Sequence, residues 1–297
     1  MSIKWEGVYP AVTTKLTKDQ ELDPAAIHAG LERLIQAGVG GVVMMGMVGE
    51  NASLTPIEKR KVLEIAVETV QKRIPVLTGV AETTTRGAIE FARDAAKIGV
   101  DGYMVFPGLT YKTDVPETVA FYRSIARGVQ LPIMLYNNPR GYGVDITPEV
   151  LFELREEGNV VAIKEESYDT TRITDLYNKF GDRFNVICGV DDLIVESAVL
   201  GVRTWVSGMA NAFPAESVRL LNLCSAGKWE DARRLYRVLT PLFHLDTHVK
   251  LVQYIKLAEN VTAGFAEQVR EPRLPLVADE RSRVLGIINR TIADLES

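Results

Sequence analysis

Eight short apolar runs, each followed by an amphipathic helical stretch, predict an α/β chain folded as a (β/α)8 TIM barrel with a helical C-terminal extension. Two further observations point the same way. The runs are continuously apolar rather than alternating, as parallel strands covered on both faces require. A glycine turn also recurs: Ala37-Gly38-Val39-Gly40-Gly41-Val42-Val43 resembles Ile98-Gly99-Val100-Asp101-Gly102-Tyr103-Met104 and Leu200-Gly201-Val202-Arg203-Thr204-Trp205-Val206. Each copy reads as a helix end, a turn and a strand start. A doubly wound open sheet is the competing arrangement, but no Gly-x-Gly-x-x-Gly follows the first run.

The strands are expected at 8–12, 41–45, 76–79, 103–106, 133–136, 160–163, 185–188 and 204–206. Helix starts are marked between them. Thr55-Pro56-Ile57-Glu58 is a capping box with proline at the first helical position. Asp114-Val115-Pro116-Glu117 and Thr147-Pro148-Glu149 open helices in the same manner. Gly38, Gly99, Gly128, Gly158, Gly181 and Gly201 each follow a helical stretch and are expected to stop it in the left-handed conformation. From about residue 215 the chain is helical to its end, interrupted at Ala226-Gly227-Lys228 and Glu271-Pro272-Arg273-Leu274-Pro275. The expected division is a barrel over 1–214 and an extension over 215–297 that packs on it and does not stand alone.

Composition narrows the function classes. Of 297 residues, 46% are hydrophobic and 25% charged, an ordinary globular balance that can bury a large core. The net charge of −5 with no basic stripe argues against nucleic acid, and no apolar run is long enough to span a membrane. Met1-Ser2-Ile3-Lys4-Trp5-Glu6 lacks a signal-peptide core. Cys188 and Cys224 form no disulfide framework, and Cys188 reads as a small core residue. A cytoplasmic protein is expected.

In a barrel of this kind the chemistry sits at the C-terminal ends of the strands. Lys164 closes the run Val160-Val161-Ala162-Ile163, where a cation is out of character. Burial lowers an ammonium's pKa, and a neutral amine attacks carbonyl carbon to form a Schiff base. The plainer alternative is a lysine that emerges from the strand and pairs with Glu165 or Glu166. Tyr136 ends the preceding strand, ahead of Asn137-Asn138-Pro139-Arg140-Gly141. Adjacent strands lie about 5 Å apart, so the phenol and the amine are expected side by side. A tyrosine there can relay protons if a nearby cation lowers its pKa; it can also be a core residue whose hydroxyl finds a backbone partner. Gly46-Met47-Val48-Gly49-Glu50 follows the second strand, and N–H groups exposed in such a turn can hold a carboxylate. It can equally be an ordinary connection. Arg140 can clamp a second carboxylate or lie on the surface.

These motifs, with Gly189-Val190-Asp191-Asp192 and Ser207-Gly208-Met209-Ala210-Asn211 at the last two strand ends, resemble the dihydrodipicolinate synthase and N-acetylneuraminate lyase family along nearly the whole chain. The resemblance implies a barrel, a class I aldolase-type mechanism and a homotetramer or dimer; no cofactor or metal is expected. It implies that Lys164 forms the Schiff base with a pyruvate-like 2-oxo acid and that Tyr136 is the acid/base. Met47 and Val48 would hold the carboxylate through backbone N–H groups, with Arg140, Val206 and Ser207 as further substrate-binding candidates.

The chain departs from the family pattern at informative places. The usual turn, Gly-[Thr/Ser]-Thr-Gly-Glu, here carries Met47 and Val48 in place of both hydroxyl residues. The synthases' second relay tyrosine falls nearest Leu109, with Tyr111 close by. The arginine expected two residues beyond the proline is Gly141, with Arg140 one earlier. A narrower likeness, in Gly46-x-Val48-Gly49-Glu50-Asn51 and in the stretch from Leu242 to Tyr254, is to the Δ1-pyrroline-4-hydroxy-2-carboxylate deaminases. There lysine attacks the cyclic imine, the ring opens, water is eliminated, and hydrolysis by two waters releases ammonia and 2-oxoglutarate semialdehyde. The alternatives are 4-hydroxy-tetrahydrodipicolinate synthase and an aldolase for 2-keto-3-deoxy sugar acids.

Other signals compete less well. His244 and His248, spaced i, i+4 in a predicted helix, could hold a metal, but packing or an inter-subunit contact explains them more simply. Met44, Met45 and Met47 read as a soft core cluster, with Met47 able to line the pocket. Glu165 and Glu166 could be an acid/base pair, but solvated or helix-start carboxylates are the simpler reading. A metal-dependent barrel enzyme is disfavoured because the only histidines, His28, His244 and His248, lie off the predicted strands. A non-catalytic 2-oxo acid binding protein is the third possibility.

Overall fold

In the computed structural model, which describes residues 3–108 and 111–297, eight parallel strands wind into a barrel with helices outside it. The strands are β1 Gly7–Pro10, β2 Val42–Met44, β3 Val76–Val80, β4 Gly102–Val105, β5 Ile133–Asn137, β6 Val160–Glu165, β7 Asn185–Cys188 and β8 Thr204–Ser207. The order β1-β8-β7-β6-β5-β4-β3-β2 is continuous, and a parallel bridge from Ala11 to Val43 joins the two ends. Each strand lies within two residues of its expected bounds. The largest extension is in β6, where pairing of Asn137 with Glu165 carries the ladder past the apolar run.

The helices between strands are α1 Pro24–Gln36, α2 Pro56–Val70, α3 Thr85–Ile98, α4 Val115–Gly128, α5 Pro139–Tyr142, α6 Pro148–Leu154, α7 Thr171–Phe180 and α8 Ile194–Val199. The capping box at Thr55 and Glu58 forms as expected, and Asp114 and Thr147 cap α4 and α6. Gly38, Gly99, Gly181 and Gly201 have positive φ. Gly128 and Gly158 do not. Gly128 is the last residue of α4, packed where a Cβ would meet Ile89 at 2.9 Å.

The C-terminal extension is α9 Pro214–Ser225, α10 Trp229–Asp246, α11 Leu251–Ala263 and α12 Ala278–Glu296. Its buried residues, among them Leu220, Leu239, Phe243, Ile255 and Ile288, share one hydrophobic cluster with the strands. Phe243 meets the Trp205 ring edge to face at 5.4 Å. The expected breaks are present, and a further one after Asp246 separates α10 from α11 at the barrel mouth.

Candidate active site

Parallel pairing of β5 and β6 sets Tyr136 opposite Lys164. Both are buried, at 2% and 6% exposure, and the Lys164 Nζ lies 3.9 Å from the centre of the Tyr136 ring. Phe106 and Tyr142 meet that ring edge to face at 4.8 and 5.6 Å, walling it from water. The Lys164 ammonium is ion-paired with Glu166, and Asn138 organises the group. Its amide nitrogen donates to Glu166 Oε1 at 2.8 Å and reaches the Tyr136 hydroxyl at 3.2 Å, while its oxygen caps α5 through the Gly141 N–H at 2.7 Å. A Cβ on Gly141 would stand 3.0 Å from the Asn138 side chain, and one on Gly189 2.9 Å from Lys164 Cε. Both glycines therefore leave room for a site residue.

Burial and then Glu166 push the Tyr136 phenol well above its ordinary pKa, the reverse of the lowering expected from a neighbouring cation. The hydroxyl is thus neutral in the resting site, where it accepts from Asn138 Nδ2.

The Gly46–Glu50 turn is held from outside. Thr14 Oγ1 donates to the Gly49 carbonyl at 2.7 Å and Asn51 Nδ2 to the Met45 carbonyl at 2.8 Å. Glu50, fully buried with φ of 56°, pairs with Lys256 of α11 and accepts from the Arg270 N–H at 2.7 Å. No hydrogen bond among the described residues engages the N–H groups of Met47 and Val48.

The third wall comes from the extension. His244 Nδ1 bonds Asp192 Oδ2 at 2.8 Å and the Tyr236 hydroxyl donates to the Asp192 carbonyl, which pins α10 over the loop after β7. Asp246, at the end of α10, then faces the mouth. Its Oδ1 is buried and has no partner among the described residues. Beneath it Asp191 accepts from Trp205 Nε1, Ser207 Oγ and the Met209 N–H, each at 2.9 Å. Burial outweighs these bonds and pushes the Asp191 carboxyl up to about 7. Burial, Asp191 and Glu166 push Asp246 well above the carboxylate range.

These groups enclose a cavity of about 30 Å³. Of the candidates from sequence, Lys164, Tyr136, Met47, Val48 and Val206 line it together, joined by Glu166 and Asp246. A larger cavity of about 710 Å³ opens at the opposite barrel end, around Gly7, Gly40 and Arg203, and holds none of these residues.

Several expectations are corrected. Arg140 does not line the cavity; it is exposed and stacks over the Tyr168 ring at 4.2 Å, because α5 turns its side chain outward. Ser207 lies behind the wall, its hydroxyl given to Asp191. Glu165 is not solvated: it is buried on the opposite face, accepting from Asn137 Nδ2 at 3.0 Å and the Ser167 N–H at 2.7 Å. Tyr111 is 58% exposed, and Leu109 lies outside the described residues. His248 falls beyond the end of α10, accepts from the Lys250 N–H and stacks on Tyr254, so it does not pair with His244. Glu166, weighed from sequence as a partner for Lys164, does pair with it, whereas Asp246 was not singled out as a site residue. The period of two along a strand places Glu166 on the Lys164 face.

A barrel mouth holding a buried amine, a phenol, a carboxylate and an open N–H turn defines a lyase of the class I aldolase type. A model of the dihydrodipicolinate synthetase family matches residues 4–291, and the chain belongs to that family. The 4-hydroxy-tetrahydrodipicolinate synthase of Methanosarcina barkeri (strain Fusaro / DSM 804) is 33% identical, with 96% of this chain and 99% of the relative covered. Among solved structures, the 4-hydroxy-tetrahydrodipicolinate synthase of Methylacidiphilum fumariolicum SolV superposes with a TM-score of 0.94 at 28% identity, covering 99% of this chain and 98% of that one. A prophage protein of the dihydrodipicolinic acid synthase family from E. coli K12, solved with pyruvate, gives 0.91 at 26% identity, covering 97% and 99%.

Proposed function

We propose that Lys164 is the Schiff-base nucleophile for a 2-oxo acid and Tyr136 the proton relay. The observation that carries this reading is the buried Lys164 amine at the barrel mouth, against the Tyr136 ring and lining one cavity with the Met47 and Val48 turn. Glu166, ion-paired with Lys164, is placed to take the proton that the ammonium must lose before it attacks. The free amine adds to the keto carbon, and the carbinolamine hydroxyl leaves as water with a proton relayed by Tyr136. The substrate carboxylate fits the unengaged N–H groups of the turn. Met47, Val48 and Val206 supply the apolar wall.

Two readings of the overall reaction have support. The relatives are 4-hydroxy-tetrahydrodipicolinate synthases, which favours condensation of pyruvate with an aldehyde. The apolar turn and the outward Arg140 favour dehydration or deamination without a second acidic substrate, as for Δ1-pyrroline-4-hydroxy-2-carboxylate. Borohydride trapping with pyruvate, read by peptide mass, is expected to label Lys164 and to vanish in Lys164→Ala. Label elsewhere, or full turnover in Lys164→Ala, would overturn the assignment. Ammonia release from the pyrroline against 4-hydroxy-tetrahydrodipicolinate formation then separates the two reactions.

A further inference from the structure

We propose that Asp246 is a specificity-determining residue that hydrogen-bonds a hydroxyl on the substrate chain beyond its 2-oxo acid unit. The site would then take hydroxylated 2-oxo acids in preference to those bearing a second carboxylate. The inference rests on the Schiff-base reading of Lys164 and goes beyond it by naming the substrate class.

The cavity's other polar side chains are already engaged. Lys164 and Glu166 pair with each other, and the Tyr136 hydroxyl meets Asn138. Asp246 lines the same cavity with a buried Oδ1 that has no partner among the described residues, and a buried polar atom is satisfied when a ligand supplies what the protein does not. The surrounding fold makes room for it. A Cβ on Gly208 would lie 2.0 Å from Asp246 Oδ1 and 2.8 Å from Ile255 Cδ1, so the glycine leaves open the space that this carboxyl occupies. The bond from His244 to Asp192 fixes the end of α10, so the carboxyl is held at the mouth. The remaining wall, Ala11, Met104, Val206 and Leu251, offers no competing donor or acceptor side chain.

Charge selects the ligand. Lys164 is the one cationic side chain lining the cavity among the described residues, and the keto group consumes it. Arg140, stacked over Tyr168, is turned away. A second carboxylate would approach Glu166 with no cation to meet it. Burial and the neighbouring Asp191 and Glu166 favour the neutral acid form of Asp246, which both donates and accepts, as a hydroxyl does.

The test uses borohydride trapping rates at Lys164. Pyruvate is the control. Hydroxypyruvate is compared with 2-oxobutyrate, 4-hydroxy-2-oxobutyrate with 2-oxopentanoate, and 2-oxoglutarate supplies the second carboxylate. The native protein is expected to trap at least one hydroxy acid about tenfold faster than its methyl counterpart, and 2-oxoglutarate more slowly than 2-oxopentanoate. Asp246→Ala should erase the hydroxyl preference and Asp246→Asn retain part of it, the preference being read in each variant as the ratio of hydroxy-acid to methyl-acid trapping rates, so that a change in the pyruvate rate common to all substrates cancels. Equal trapping of hydroxy and methyl acids by the native protein, an undiminished preference in Asp246→Ala, faster trapping of 2-oxoglutarate, or loss of pyruvate trapping in both variants would each overturn the inference. Failure of the native protein to trap pyruvate would overturn the Schiff-base reading, and this one with it.

Discussion

Lys164 and Tyr136 face each other because two parallel strands end in register, each with one polar residue after an apolar run. That much is legible in the sequence: a cation closing Val160-Val161-Ala162-Ile163 is out of character for a buried strand, even with Glu166 near enough to pair with it. Glu166 was legible in principle from strand alternation. Asp246 was not, because nothing in a helical pattern states which barrel end a later helix crosses. The high pKa of Tyr136 also lay beyond the sequence, since its burial and the approach of Glu166 exist only in three dimensions. A neutral phenol relays protons and need not ionise in the resting state. Tyr136→Phe removes that relay while keeping the ring packed on Phe106 and Tyr142. Exchange of pyruvate methyl protons with deuterium, followed by NMR, is therefore expected to slow by about 10²-fold or more, and borohydride labelling of Lys164 to be slower but still at Lys164, because the same relay serves loss of the carbinolamine hydroxyl. Unchanged exchange would remove Tyr136 from the proton path.

At the scale of elements, the Gly46–Glu50 turn depends on a helix far along the chain. Its glycines and its place after β2 could be read directly. Its support could not, because Lys256 looks like any helical lysine until α11 folds across the mouth. Glu50 and Lys256 are 0% and 1% exposed as side chains, so each is the other's compensation for lost hydration. Glu50→Gln leaves the Lys256 ammonium buried without its counter-ion, at an expected cost of about 3–5 kcal/mol in denaturant unfolding. Glu50→Gln combined with Lys256→Met should recover much of that loss, which a double-mutant cycle measures. The exposed pair Lys61 and Glu64 gives the contrast: Lys61→Gln should change stability by less than about 1 kcal/mol. If Glu50→Gln were equally mild, the turn would be held by its own hydrogen bonds rather than by α11.

Across the whole molecule, the alternation of strand and helix announces the barrel, whereas the role of the last third emerges only from packing. Residues 215–297 supply Asp246 and Leu251 to the cavity, Lys256 to Glu50, and Glu259 to the buried pair with Lys15, whose neighbour Thr13 donates to Glu259 Oε2 at 2.6 Å. They also cover Trp205 with Phe243. We propose that 1–214 and 215–297 are parts of one folding unit and that neither folds alone. Cutting after residue 214 would expose an apolar barrel flank and leave Lys15 and Glu50 without the charges that offset their burial, and broken buried pairs each cost about 3–5 kcal/mol against a total stability of about 5–15 kcal/mol. Two such pairs alone approach or exceed the stability available. The 1–214 fragment is therefore expected to lack near-ultraviolet circular dichroism and a cooperative melt, and to trap no pyruvate at Lys164. A cooperative transition in that fragment would show that the barrel closes without its extension, and the cavity wall would then have to be rebuilt from strand-end residues only.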